Sequence, residues 1–215
     1  MNRFNSYSQY SNGRNNAKYH KNKKKKHFQN HHHSPQNAPV TVHLPKYANS
    51  ESHIINDYWH IYAHDKRDTD FTNDSYEKCF TIETLEDFWL FFNNVNDFTR
   101  HQFYIMRKNI QPRYEVPENI NGGTLSYLIL QTVDVKPTLI QIVLRMICEK
   151  IVTNKRYYDE ITGIYLNPKQ DGANLKIWFK DFKWLQNNIS SLRVTDIKTL
   201  KSQRLSKHNN INNQS

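Results

Sequence analysis

Apolar and polar positions along this chain are spaced to give short strands interspersed with three amphipathic helices. Between His53 and Ala63 the positions Ile55, Tyr58, Trp59 and Ile61 mark a first strand. Thr84-Leu-Glu-Asp87 has the spacing of a capping box. Leu85, Phe88, Trp89 and Phe92 follow at i, i+3, i+4 and i+7, the stripe of a helix buried on one side. Phe103–Lys108 and Leu125–Val133 read as further strands. Thr138 is placed to cap a second helix, with Leu139, Ile140, Val143, Met146 and Ile147 on its buried side. Tyr165-Leu166 and Leu175–Phe179 flank a turn at Asn167–Asn174 and read as a hairpin. Phe182, Leu185, Ile189 and Leu192 recur at intervals of 3, 4 and 3 and predict a third helix. The pattern implies an antiparallel α+β layer fold without internal repeats.

Composition changes this picture at the two ends. The 215 residues are 37% hydrophobic, and the mean hydropathy of −0.88 is low for a chain that is globular throughout. Residues 1–38 are rich in Asn, Lys, His and Ser and lack periodicity, so they cannot bury enough apolar surface to order themselves. The expected organisation is a disordered basic tail over 1–38, one folded domain over 39–207 and a loose end over 208–215. The formal net charge is +10, and the eight cations of residues 1–38, with no carboxylate among them, supply +8 of it. Basic tails favour polyanions, chiefly nucleic acid. The run Lys23–Lys26 reads as solvated tail with weak RNA affinity rather than as a nuclear address. His31-His32-His33 has no preset geometry for a metal. No apolar run approaches the ~20 residues needed to cross a bilayer, the N-terminus lacks the apolar core of a secretory signal, and two cysteines, Cys79 and Cys148, make no disulfide framework. These readings imply a cytoplasmic protein with no membrane partner.

The candidate chemistry lies in Ile110-Gln-Pro-Arg-Tyr-Glu-Val-Pro-Glu-Asn-Ile-Asn-Gly-Gly123. This proline-bounded loop sets an aromatic ring, Tyr114, beside a carboxylate, Glu115. A ring face attracts a cation, and a carboxylate accepts hydrogen bonds with charge assistance. Together they suit a flat, positively charged base that offers N–H donors. No Gly-rich phosphate loop, nucleophile–His pairing or metal-ligand spacing accompanies them, so the chain is not read as an enzyme and no cofactor is implied.

This stretch resembles the cap-binding loop of the eukaryotic translation initiation factor 4E family, Pro-x-Trp-Glu-(acidic)-x-x-Asn-x-x-Gly-Gly-x-Trp, with Tyr114 and Leu125 in place of the two Trp. The resemblance runs from about His53 to about Leu192. His53-Ile-Ile-Asn-Asp-Tyr-Trp59 is similar to the family's opening block, Tyr62 stands where a Trp is usual, Thr84–Trp89 matches the first-helix signature, and Gly163–Trp178 matches without a gap. It implies a curved antiparallel sheet with three helices on its convex face, and a protein that binds the 7-methylguanosine cap of mRNA and recruits a scaffold factor. A divergent repressor that occupies the cap without recruiting the initiation complex is the alternative.

The resemblance also implies roles for residues. Tyr114 would stack on the methylated base, Glu115 would accept from its N1–H and N2–H₂ donors, and the edge of Trp178 would touch the methyl group. The second ring of the sandwich is open. Thr72 stands at the aligned position and cannot stack, leaving Phe71 or Tyr76. For the phosphates, Lys169 matches a family Arg, Asp171 and Asn174 stand where lysines are usual, and Lys176, Lys180 or Lys183 would have to substitute. On the convex face, Trp89 with Leu85, Ile55, Ile140 and Leu144 matches the surface that takes a Tyr-x-x-x-x-Leu helix of a factor 4G-like scaffold or an inhibitory binding protein.

Overall fold

The computed structural model of the chain describes residues 52–208. The expectations for the basic tail, for Lys23–Lys26, for the histidine triplet and for residues 209–215 lie outside the described residues. Seven strands form one antiparallel sheet: β1 (Ile54–Asp65), β2 (Glu77–Thr84), β3 (His101–Arg107), β4 (Gly123–Ile129), β5 (Ile161–Pro168), β6 (Ala173–Phe179) and β7 (Leu200–Lys207). Their order across the sheet is β2-β1-β3-β5-β6-β4-β7. Three helices, α1 (Leu85–Asn94), α2 (Val135–Ile147) and α3 (Phe182–Asn188), complete the α+β fold.

Strand alternation divides the chain between two faces. Trp59 and Ile61 of β1, Ile105 of β3, Leu125 of β4, Ile164 and Leu166 of β5, and Leu175 and Ile177 of β6 join Phe88, Leu139, Ile142 and Leu185 of the helices in the main core. The intervening residues form a smaller cluster of Tyr104, Met106, Ile110, Tyr165 and Trp178 on the face without helices. This is the open face. Arg107 stiffens one end of the central strands. Its guanidinium lies over the rings of Trp59 at 5.2 Å and Tyr158 at 4.4 Å and is hydrogen-bonded to Asp57.

α1 begins as its sequence implies. Thr84 Oγ1 accepts from Asp87 N at 3.0 Å, and Asp87 Oδ2 accepts from Thr84 N at 3.0 Å, a reciprocal cap worth about 1 kcal/mol. Its buried stripe is Phe88, Phe91 and Phe92. Adding Phe91 shifts the centre of the stripe away from Trp89, which is 44% exposed.

The expected cap of α2 is corrected. The helix starts at Val135 with Asp134 at its N-cap, because Pro137 in its first turn needs no N–H donor there. Thr138 is buried inside the helix and shares a 2.6 Å hydrogen bond with Thr199. α3 is shorter than its periodicity suggests: it ends at Asn188, and Ile189–Ser191 continue as one 3-10 turn. The hairpin of β5 and β6 is present, paired from Ile161 with Phe179 to Pro168 with Ala173. β4 stops at Ile129, four residues before the expected end. Strands β2 and β7, the two edges of the sheet, carry no expectation from the sequence.

Candidate functional site

Five rings meet on the open face. Tyr104 of β3 lies on Tyr165 of β5 at 4.4 Å with a 19° interplanar angle. Tyr76 meets Tyr104 edge-on at 5.3 Å. Tyr114 stacks on Trp178 of β6 at 4.5 Å and 24°. Burial pushes the phenols of Tyr76, Tyr114 and Tyr165 up to about 12, and that of Tyr104 up as well. All four remain neutral near physiological pH and offer uncharged π faces.

The loop between β3 and β4 carries Tyr114 and Glu115, and Asn119 holds it in shape. The fully buried Asn119 side chain donates from Nδ2 to the carbonyls of Gln111 at 3.2 Å and Arg113 at 2.7 Å. Its backbone carbonyl accepts from Gly122 N at 2.8 Å and from the ring of His208 at 2.7 Å. Gly122 is required for this approach, since a Cβ there would stand 2.1 Å from the carbonyl oxygen of Phe179 and 2.8 Å from that of Asn119. Glu115 is partly exposed beside Arg113, with Nε and Oε2 3.5 Å apart. Arg113 also donates to Asn73 Oδ1 at 2.8 Å, so it joins this loop to the β1–β2 loop.

The two candidates for a second ring stand differently. Tyr76 packs in the same cluster as Tyr114 and Trp178. Phe71 is 49% exposed and lies flat on His64 at 4.8 Å and 6°, whose Nε2 is 2.8 Å from the carbonyl of Asp70. In this structure the face of Tyr114 is paired with Trp178, and neither Phe71 nor Tyr76 stacks on it among the ring pairs of the described residues. Trp178 is 1% exposed, so it presents no free edge in this arrangement. The expected loose end is corrected at its first residue. His208 is buried at 4% exposure and packs against Tyr114 at 4.5 Å and Trp178 at 5.0 Å. Trp178 Nε1 and His208 Nε2 are both buried without a hydrogen-bond partner.

A group of cations borders the rings. Lys176 is half-buried, with Nζ 5.5 Å from the Tyr165 ring. Its pKa is lowered by burial and then by the charges of Lys169 and Arg204, which places each of these two within electrostatic reach of Lys176. Lys180 does not belong with them. It pairs with Glu160 at 3.6 Å, beyond the end of β6. Arg204 and His208 had no signal in the sequence, because their places follow from the register of β7. Asn119 had one, its fixed spacing ahead of the Gly-Gly pair. The arrangement combines neutral ring faces, a carboxylate acceptor on the rim and a cationic border, and so suits a flat donor-bearing base joined to an anionic group.

The eukaryotic initiation factor 4E family profile matches residues 54–214. The chain belongs to the initiation factor 4E family. It is 25% identical to eukaryotic translation initiation factor 4E of Dictyostelium discoideum over 126 residues, covering 57% of this chain and 49% of that protein. Identity to factor 4E-1 of Caenorhabditis elegans is 26% over 126 residues, covering 56% and 58%. The chain thus spans about half the length of the curated relatives it matches. Among solved structures, Schistosome factor 4E complexed with m7GpppG and 4E-BP superposes with a TM-score of 0.64 at 21% identity, covering 76% of this chain and 93% of that one. C. elegans factor 4E-3 with the 4E-binding protein Mextli and a cap analogue gives 0.59 at 18% identity, covering 74% and 94%. These superpositions show the shared fold, a curved seven-stranded antiparallel sheet with helices. Initiation factor 4E proteins are translation factors and not enzymes.

On the helix side, this factor 4E family member places Trp89 on the outside of α1, edge-on to Phe88 at 4.9 Å. Leu85, Ile140 and Leu144 are partly buried against the core. Ile55 is corrected as a surface residue: it is 7% exposed and belongs to the core, while its neighbour Ile54 is 76% exposed. The β1 pleat turns one inward and the other outward. Among the described residues no helix is long and apolar enough to cross a membrane.

Proposed function

We propose that this protein binds the 7-methylguanosine cap of mRNA on its open face and engages a helical protein partner through Trp89. One observation carries the cap reading: Glu115, the loop's rim carboxylate, adjoins a ring stacked over Trp178, on a face where Lys176 lies against Tyr165 and within reach of the charges of Lys169 and Arg204. The methylated base is cationic, so a ring face gains roughly 0.5–2 kcal/mol from it. Glu115 accepts the two parallel guanine donors, Trp178 meets the methyl group, Tyr76 or Phe71 covers the second face, and the three cations take the phosphates. Tyr76 is favoured over Phe71 because it already shares the ring cluster of Tyr114 and Trp178.

The partner is a scaffold of the factor 4G kind or an inhibitory binding protein presenting a Tyr-x-x-x-x-Leu helix, and the setting is cytoplasmic. The exposed Trp89 supports a helical partner of either kind, and the alternative remains a repressor that occupies the cap without recruiting the initiation complex. Retention on cap resin, competed by methylated and not by unmethylated guanine nucleotide, tests the cap reading. Co-retention of a scaffold and helicase tests recruitment, and the cap-bound protein alone would support the repressor.

A further inference from the structure

The edge strand β7 contains a local irregularity that redirects a lysine. From Gly123 with Lys207 to Ser126 with Arg204, β4 and β7 pair in constant register, but Leu128 then faces Lys201. One residue separates Ser126 from Leu128 on β4, while Ser202 and Gln203 both lie between Lys201 and Arg204 on β7. This is a β-bulge, and Ser202 within it has φ 51°, a left-handed conformation that costs a non-glycine residue roughly 1–2 kcal/mol. Bulges reverse which face later residues occupy. Leu205 and Leu200, five positions apart, both pack toward the main core, so Lys201 faces the same side as Arg204. Without the extra residue, strict alternation would set the two cations on opposite faces.

Cross-strand pairs then line up in ranks on the open face. Trp178, Thr124 and Ser206 share the first rank, Lys176, Ser126 and Arg204 the second, and Asn174, Leu128 and Lys201 the third. Successive ranks are about 6.7 Å apart along the strands, two residues at 3.3–3.4 Å each. Strands β4, β6 and β7 carry Lys176, Lys201, Arg204 and Lys207 and no carboxylate at all. Lys207 pairs with Gly123, in the alternation set of Leu125 and Leu205, and so occupies the helix side.

We propose that this acid-free, three-strand surface is a track for single-stranded RNA, in which Lys201, one rank beyond Lys176 and Arg204, meets a phosphate of the chain past the capped nucleotide. The track rests on the cap reading for where the RNA begins and on the bulge for where it goes. A repeating polyanion fits it better than an acidic peptide, because cations stand in two adjacent ranks, Lys176 with Arg204 and then Lys201, with the neutral hydrogen-bonding side chains of Ser126 and Asn174 beside them. Cation-lined grooves of this kind bind single strands with a strong salt dependence.

The test uses the full chain with two variants, Lys201→Ala and Lys207→Ala, and four probes: free 7-methylguanosine triphosphate, a capped oligoribonucleotide, the same oligoribonucleotide uncapped, and a polyglutamate peptide. Lys201→Ala should weaken the capped oligonucleotide several-fold at low salt and lower its log–log salt slope by about 0.7, the value for one single-strand phosphate contact. It should leave the free nucleotide unchanged. Lys207→Ala, the same charge change on the other face of the same strand, should leave both unchanged. The track is overturned if Lys201→Ala leaves the oligonucleotide slope intact, if it weakens the free nucleotide equally, if Lys207→Ala matches its effect, or if polyglutamate binds as well as RNA. If the wild type fails to bind the free nucleotide, the cap reading falls. The track is then decided by whether the uncapped oligonucleotide shows the same difference between Lys201→Ala and Lys207→Ala.

Discussion

Tyr114 lies on Trp178 with ring centroids 4.5 Å apart and planes 24° from parallel. The ring proposed to stack on the cap is thus already stacked on the residue proposed to touch the base's methyl group. A base can reach the face of Tyr114 and the edge of Trp178 only if Tyr114 moves, and the movement exposes Trp178. Titration with cap nucleotide should therefore change tryptophan fluorescence, and Tyr114→Ala should weaken binding by roughly 0.5–2 kcal/mol, the value of one cation–π contact. Tyr114→Trp should bind at least as tightly as the wild type. Equal affinity for Tyr114→Ala and wild type in that titration would remove Tyr114 from the site.

Glu115 has Arg113 as its neighbouring cation at 3.5 Å, too long for a strong hydrogen bond, so its oxygens are available to a ligand. Glu115→Gln keeps the shape but replaces one acceptor with a donor that opposes the guanine N–H groups. The loss of hydrogen bonds to a charged group should cost about 1.5–3 kcal/mol in cap affinity. Discrimination between guanine and other bases should fall with it. Isothermal titration with methylated guanine and adenine nucleotides reads both effects.

Asn119 should matter for the site without touching the ligand. Its side chain closes the loop through the carbonyls of Gln111 and Arg113, and its own carbonyl anchors His208. Asn119→Ala removes both N–H donors of the amide; the Gln111 carbonyl keeps its bond from Arg113 N at 2.8 Å, while the Arg113 carbonyl loses its partner, at about 1–3 kcal/mol for a buried group stranded. Hydrogen exchange should quicken across residues 110–122, and cap affinity should fall while the far edge of the sheet at β2 stays protected. Unchanged exchange in the loop would show that its prolines and Gly122 hold it without Asn119.

The fold class and the position of the loop could be read from the sequence because they depend on local spacing. Thr84 with Asp87 specifies a helix start within four residues, and the Tyr114-Glu115 pair and Gly122-Gly123 lie in one continuous segment. What could not be read depends on register and distant packing. β7 has only Leu200 and Leu205 facing the core, and the bulge at Ser202 sets them five positions apart, which breaks the period of two that reveals a strand. Arg204 and His208 reach the site only through that strand. Thr138 resembled a cap because a hydroxyl preceded an apolar run, whereas Pro137 had already entered the helix. The stack of Tyr114 on Trp178 joins a loop to a strand distant in sequence, and no periodicity reports it. The exchange between Ile54 and Ile55 is a matter of one residue of pleat.

His208 should make this end of the protein sensitive to acid. Its pKa is lowered from 6.5, chiefly by burial and also by the charge of Lys176, against a partial opposing effect of its bond to Asn119 and of Glu115. A histidine with a lowered folded pKa binds more protons when unfolded. Its contribution is therefore whole above about pH 6.5 and declines as pH falls from there through the folded pKa. The bond from His208 N to the Gly122 carbonyl, 3.0 Å long, should exchange faster at pH 5 than at pH 7 after correction for intrinsic rates. His208→Phe keeps a ring against Tyr114 and Trp178 and should abolish that difference. A wild type whose protection at Gly122, Gly123 and His208 is flat between pH 5 and 7 would contradict this.

Trp89 should serve partners and leave the cap alone. At 44% exposure, held edge-on by Phe88, it is a large apolar side chain that the core uses only in part. Exposed aromatic surface of this kind marks interfaces, and an aromatic anchor often carries 2 kcal/mol or more of binding in roughly one interface position among several. Trp89→Ala should therefore remove binding of a Tyr-x-x-x-x-Leu helical peptide by more than about 30-fold, the equivalent of ~2 kcal/mol. Because Phe88, Phe91 and Phe92 fill the core beneath it, the variant should melt within a few degrees of the wild type and keep its retention on cap resin. Three readings on one variant separate the possibilities. Lost peptide with kept cap supports the partner surface. Loss of both, with a collapsed melting transition, means Trp89 is core. A folded variant that still binds the peptide moves the partner to another face, and Ile54, exposed beside the start of α1 where it pairs with Thr84, is the residue to change next.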